Sequence, residues 1–194
     1  MANKHATDDK SENNLPRLRG EPIPLDRHWH LARDERETSV TDLEHTLLRA
    51  FAAFERWQSE CLAAVSHQPL SSTDNAVLHI IRMKERPKTL TEVARLLARD
   101  DLSNLQYAIK KLTSAGLVEK SKEKKRRGVA YSVTDQGRQV TDDYADLRRA
   151  LLIQMLPEER DSSAQFDSAR RLLNLLQGVY DQAAVYVVSH SNPD

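Results

Sequence analysis

Two groups of side chains near the middle of this 194-residue chain could recognise a charged, hydrogen-bonding polymer. The first is Ser103, Asn104, Gln106, Tyr107, Lys110 and Lys111. Asparagine and glutamine amides pair bidentately with adenine, and a hydroxyl at a helix N-terminus favours a phosphate. Lysines further along would contact the sugar–phosphate backbone. The second group is Lys120, Lys122, Lys124, Lys125, Arg126 and Arg127, set against only Glu119 and Glu123, a local excess of +4. Arginine fits the narrow minor groove of A/T-rich duplexes. A charge run alone is usually a solvated turn, and many short exposed helices look like the first group. The order of the surrounding elements therefore decides whether either group has a function.

That order is helix, helix, helix, hairpin. Ser71 or Ser72 can cap a helix whose inward side is Ala76, Val77, Ile80, Ile81 and Met83, with Pro87 as its stop. Thr89 and Glu92 read as a capping box opening a short helix with Val93, Leu96 and Leu97 inward. Asp100 or Asp101 then caps a third helix, with Leu105, Ala108, Ile109 and Leu112 inward and Gly116 ending it. After Gly116 the apolar period falls from 3.6 towards 2. GLVEKS and GVAYSVT read as two strands joined by the basic tip KEKKRRG, where Gly128 supplies a positive φ. Three short helices and a basic hairpin make a winged helix-turn-helix at about 71–134. Its third helix would enter the major groove and its wing, at Lys124, Lys125, Arg126 and Arg127, the minor groove.

The flanks carry two long apolar stripes. Val40, Leu43, Leu47, Ala50, Phe54, Trp57 and Cys61 alternate spacings of 3 and 4 on a helix that starts near Thr38 and ends before Pro69. Phe166, Ala169, Leu173, Leu176, Tyr180, Ala183 and Val187 repeat the pattern on a last helix from Ser162 to Val188. Between them, Thr134 caps a helix carrying Val140, Tyr144, Leu147, Leu151 and Met155 and ending at Pro157. A module as small as 71–134 cannot cover both stripes. They could pack on each other within one chain, but pairing between subunits is favoured, with Leu43, Leu47, Phe54, Trp57, Phe166, Leu173, Leu176 and Tyr180 at the dimer contact. The expected fold is mainly α with a small β wing: an arm at 1–37, a winged helix at 71–134, and helical dimerisation regions at 38–70 and 135–190. The arm's first residues are polar enough to be disordered; Leu18, Ile23, Leu25 and Trp29 could anchor the rest on a partner.

The run from Asp101 to Gly137 resembles the recognition helix and wing of MarR-type transcriptional regulators. Leu112, Gly116-Leu117-Val118 and Val133-Thr134-x-x-Gly137 match that pattern. Tyr107-Ala108-Ile109-Lys110-Lys111-Leu112 is similar to a subset with a long N-terminal arm and no known ligand. The wing tip departs from the family, which carries an Asp-x-Arg pair there. The resemblance covers about residues 25–188. It implies a homodimeric regulator, a repressor in the simplest case, that reads a pseudo-palindrome in double-stranded DNA. A small-molecule effector would sit between the dimer helices and the winged module.

Composition sets the remaining bounds. Charged residues make up 30% and aromatic residues 5% of the chain, with five glycines, which disfavours an all-β fold. The net charge of zero favours, as the alternative function, a winged helix that binds proteins rather than DNA. Cys61, the single cysteine, excludes an internal disulfide and fits a reducing cytoplasm; its place on the stripe predicts a buried, inert thiol. No apolar run is long enough to span a bilayer, and the N-terminus lacks the apolar core of a secretory signal. His28 and His30 lack a third metal ligand, His79 sits near an apolar face, and no catalytic or phosphate-loop motif is present. No enzymatic activity, metal or cofactor is expected.

Overall fold

The computed structural model describes residues 30–122, 128–156 and 162–190. The arm up to Trp29 and the wing-tip residues Lys124, Lys125, Arg126 and Arg127 lie outside the described residues. The chain divides into two compact units, Met1–Phe54 and Glu55–Asp194.

The helix α1 (Glu35–Ser66) begins earlier than the apolar stripe suggests. Asp34 is the reason. Its Oδ1 accepts the Glu37 N–H at 2.8 Å while Glu37 Oε2 accepts the Arg33 N–H at 2.7 Å, so paired caps satisfy amides that a helix start would leave open. In the first unit the stripe is exposed at Val40 and Phe54 and half-buried at Leu43 and Leu47.

The second unit holds the core. Cys61 and Leu62, from the end of α1, are buried there, with Trp57 and Val65 packed against them. The next helix, α2 (Ser72–Arg82), has Ser71 as its N-cap, and Asp74 closes a reciprocal capping box. It buries Val77, Leu78 and Ile81, leaving Ala76 and Ile80 half-buried; Met83, expected inside, is exposed in a short 3₁₀ turn at Met83–Glu85. A two-residue strand β1 (Lys88–Thr89) precedes α3 (Leu90–Leu96), which Thr89 caps by accepting the Glu92 N–H. This helix buries Val93 and Ala94, and Leu96 faces out. The following helix, α4 (Leu102–Ser114), buries Leu105, Ala108, Ile109 and Leu112, the four residues its periodicity selects.

Strands β2 (Val118–Lys120) and β3 (Ala130–Val133) pair antiparallel, Val118 opposite Val133. The strand β1 joins the other edge of β3, giving the order β1-β3-β2. At two residues, β1 is too short for the alternation that marks the other strands. Next, α5 (Asp135–Arg148) starts at Thr134, whose Oγ1 accepts the Gly137 N–H at 3.0 Å. Its inward line of Val140, Tyr144 and Leu147 does not continue to Leu151 as the sequence suggests. A π turn at Arg149–Ile153 inserts an extra residue, so Leu152 becomes half-buried while Leu151 and Met155 are exposed. The last helix, α6 (Ser162–His190), has no buried residue among those described.

Two glycines are demanded by this geometry. Gly116 has φ +74°, which closes α4 in the left-handed region. A Cβ on Gly137 would stand 2.1 Å from the Leu117 carbonyl oxygen, so α5 can approach the start of the wing this closely only through a glycine.

Candidate nucleic-acid interface

The outer face of α4 is set by what the inner face buries. With Leu105, Ala108, Ile109 and Leu112 turned inward, Ser103, Asn104, Gln106, Tyr107 and Lys110 are all exposed, Tyr107 at 69%. Five of the six residues chosen from the sequence thus share one open face. Lys111 is placed differently. Its side chain is only 34% exposed, and its Nζ lies 2.9 Å from Oδ2 of Asp74, which is buried. The same Asp74 oxygen accepts the Ser71 N–H at 2.7 Å and the Ser71 hydroxyl at 2.9 Å. Lys111 therefore ties α4 to the N-terminus of α2, and a phosphate would have to compete with a buried carboxylate for it.

The N-terminus of α4 is arranged in a way the sequence did not suggest. Asp101 occupies the N-cap position, but its carboxylate makes no capping hydrogen bond. It is held instead by Arg99, whose Nε donates to Oδ1 at 2.8 Å and whose Nη2 donates to Oδ2. Asn104 Nδ2 also donates to Oδ2, at 3.0 Å. The Arg99 guanidinium, and then the Asn104 amide, hold the Asp101 carboxyl down to about 2. A third arm of Arg99, Nη1, reaches the Thr73 hydroxyl on α2 at 3.3 Å. Asp101 was read from the sequence only as a cap; its clamp by Arg99 and the brace on Thr73 were not, because Thr73 lies 26 positions away and only the Arg-Asp-Asp run hinted at an ion pair.

The wing stem rises directly behind α4. Leu117 N–H donates to the Leu112 carbonyl at 3.0 Å, and Thr134 N–H donates to the Leu117 carbonyl at 3.1 Å, so α4, the β2–β3 hairpin and the start of α5 meet at one residue. Lys120 and Lys122 are exposed on the stem. The base of β1 is fixed by Lys88, which is fully buried and donates to the carbonyls of Ile81 at 3.1 Å, Arg86 at 3.0 Å, and Met83. His79, half-buried on α2, stacks edge-on to Tyr144 with ring centroids 4.6 Å apart. Burial, and then the nearby Arg82 charge, push the His79 pKa down. Cys61 is buried, as its place on the stripe predicts, and burial pushes its thiol pKa up. No described helix is long and apolar enough to cross a membrane.

A family model described as a winged helix DNA-binding domain matches residues 70–137, which include both candidate surfaces. Among solved structures, the transcriptional regulator BldR from Sulfolobus solfataricus is similar at 21% identity, with a TM-score of 0.59 over 73% of this chain and 99% of that one. The reduced form of AbfR, a protein of Staphylococcus epidermidis, bound to DNA gives 18% identity and a TM-score of 0.60 over 75% and 99% of the two chains. Apo MarR from E. coli gives 22% and 0.53 over 68% and 95%. This chain has the MarR-type winged-helix fold. At these identities the likeness extends to the fold alone. No sequence among functionally curated proteins matches the chain.

Proposed function

We propose that this protein is a sequence-specific, double-stranded-DNA-binding transcriptional regulator that acts as a homodimer and represses by occupying its operator. The observation that carries the reading is the two-sided character of α4: four buried apolar residues, an outer face of exposed hydrogen-bonding side chains, and a hairpin immediately after it inside a winged helix DNA-binding domain. Asn104 and Gln106 read base edges in the major groove, and Ser103, Tyr107 and Lys110 contact the backbone and groove edge. Lys124, Lys125, Arg126 and Arg127 neutralise phosphates at the minor groove. Lys111 acts mainly through Asp74, orienting α4 on α2.

Dimerisation is supported by α6. Phe166, Leu172, Leu173, Leu175 and Val179 are all between 44% and 63% exposed, and a run of exposed apolar side chains on one helix marks an interaction surface. Leu176 and Tyr180 belong to the same stripe, and Leu43, Leu47, Phe54 and Trp57 form a second apolar stripe on α1. A two-fold axis would set two copies of α4 about one DNA turn, ~34 Å, apart.

Selection of bound duplexes from a random pool tests this directly and should return a two-fold-related motif with that spacing. Affinity for the selected duplex should fall with salt at a slope of about 0.9 per neutralised phosphate. Replacing Lys124, Lys125, Arg126 and Arg127 together by alanine should weaken binding to every sequence and flatten the slope. Duplex affinity no greater than that of an unrelated neutral protein at about 50 mM salt would refute the DNA reading.

A further inference from the structure

Asn104 does not sit on α4 as a freely rotating amide. Its Nδ2 faces Asp101 Oδ2 at 3.0 Å, and that carboxylate is gripped through both oxygens by Arg99. Arg99 is in turn braced against α2 through the Thr73 hydroxyl at 3.3 Å. A carboxylate only accepts, so turning the Asn104 amide over would set Oδ1 against Oδ2, two acceptors facing each other. Asp101 therefore decides which way round the amide sits. One amide hydrogen goes to Asp101, leaving one N–H and the carbonyl oxygen, the pair that a bidentate contact with adenine uses.

We propose that Arg99 is a positioning residue for base readout: by clamping Asp101 against α2 it fixes the donor–acceptor direction of Asn104, and through Asn104 the base chosen at one operator position. This rests on the reading of α4 as the helix that faces DNA. Arg99 makes none of the base contact itself. Its effect falls on the preference for one base, whereas a phosphate contact would change affinity for all sequences. Lysine is a poor substitute, because a single ammonium cannot bind both carboxylate oxygens and Thr73 at once.

The test uses the full chain and the duplex it selects from a random pool, together with duplexes carrying single base changes. Wild type, Arg99→Ala, Arg99→Lys, Asn104→Ala and the Arg99→Ala/Asn104→Ala double variant are compared by anisotropy at one salt concentration. The base position that Asn104 reads is the one at which Asn104→Ala loses discrimination, roughly five- to hundredfold for a bidentate contact. Arg99→Ala should lose at least about fivefold at that same position, hold non-operator affinity within about twofold, and add nothing in the Asn104→Ala background. Arg99→Lys should fall between wild type and alanine. Should Arg99→Ala fail to fold, Arg99→Lys and Thr73→Val carry the same comparison. Full discrimination in the Arg99 variants, or equal losses with and without Asn104, would overturn the proposal and leave the DNA reading intact. A wild-type chain that selects no sequence overturns both.

Discussion

Gly137→Ala isolates the contact that holds α4, the β2–β3 hairpin and α5 together. The added methyl would stand 2.1 Å from the Leu117 carbonyl oxygen and 3.0 Å from its carbonyl carbon. An ordinary carbon–oxygen contact is above about 3.2 Å, so one side must move by about 1 Å. Leu117 cannot yield freely, because its side chain is fully buried, its N–H donates to Leu112 and its carbonyl accepts from Thr134. Overpacking of this kind costs about 1–3 kcal/mol, and losing the Thr134-to-Leu117 bond adds about 1 kcal/mol. A total of about 3 kcal/mol corresponds to a Tm drop of roughly 6–12 °C for a chain of this size. Thermal denaturation followed by circular dichroism, at one protein concentration so that self-association is held constant, reads it directly. The surviving folded fraction should also bind duplex more weakly, since the wing stem shifts relative to α4. A Tm within about 1 °C of wild type would show that the close approach is relieved by a rigid shift of α5, and would refute the claim that glycine is required there.

Lys88→Met should cost about 2 kcal/mol, seen in urea unfolding, because three carbonyls around the end of α2 lose a buried donor. Lys111→Met should lower stability by about 1–2 kcal/mol, discounted for the partial exposure of the lysine, with little change in the salt slope of DNA binding. Unchanged stability with a shallower slope would instead make Lys111 a phosphate contact. His79 has its folded pKa below its ordinary value because of burial and then the nearby Arg82 charge. The unfolded chain then binds the proton more readily, so stability is intact above about pH 6.5 and is lost as pH falls from there through the folded pKa. His79→Phe should flatten that part of the stability–pH curve, and an unchanged slope would show that another group governs it.

The sequence alone was enough for whatever depends on local period and on residue type at a turn. The inner face of α4 is legible because Leu105, Ala108, Ile109 and Leu112 repeat at helical spacing, and the caps at Ser71, Thr89 and Thr134 because a hydroxyl there has a nearby orphan amide to satisfy. The turn at Gly116 follows for the same local reason. Less was legible where the signal was short or out of phase. Two-residue β1 shows no alternation, and the π turn after α5 shifts the inward line from Leu151 to Leu152 without a sequence mark.

Contacts between segments distant in sequence were settled only by tertiary structure. Lys111, read as a backbone contact, turns to Asp74 across 37 positions because a buried carboxylate needs a cation. Asn104 keeps its place on the open face but gains a fixed direction, since Arg99 draws Asp101 away from its cap and braces it on Thr73, 26 positions away. Gly137 matched a sequence pattern without a stated cause; the cause is a backbone 20 positions earlier that leaves no room for a Cβ. Periodicity reports which side of a helix is buried, but a polar side chain's partner depends on which other segment folds against it, and that information exists only once the chain has closed on itself.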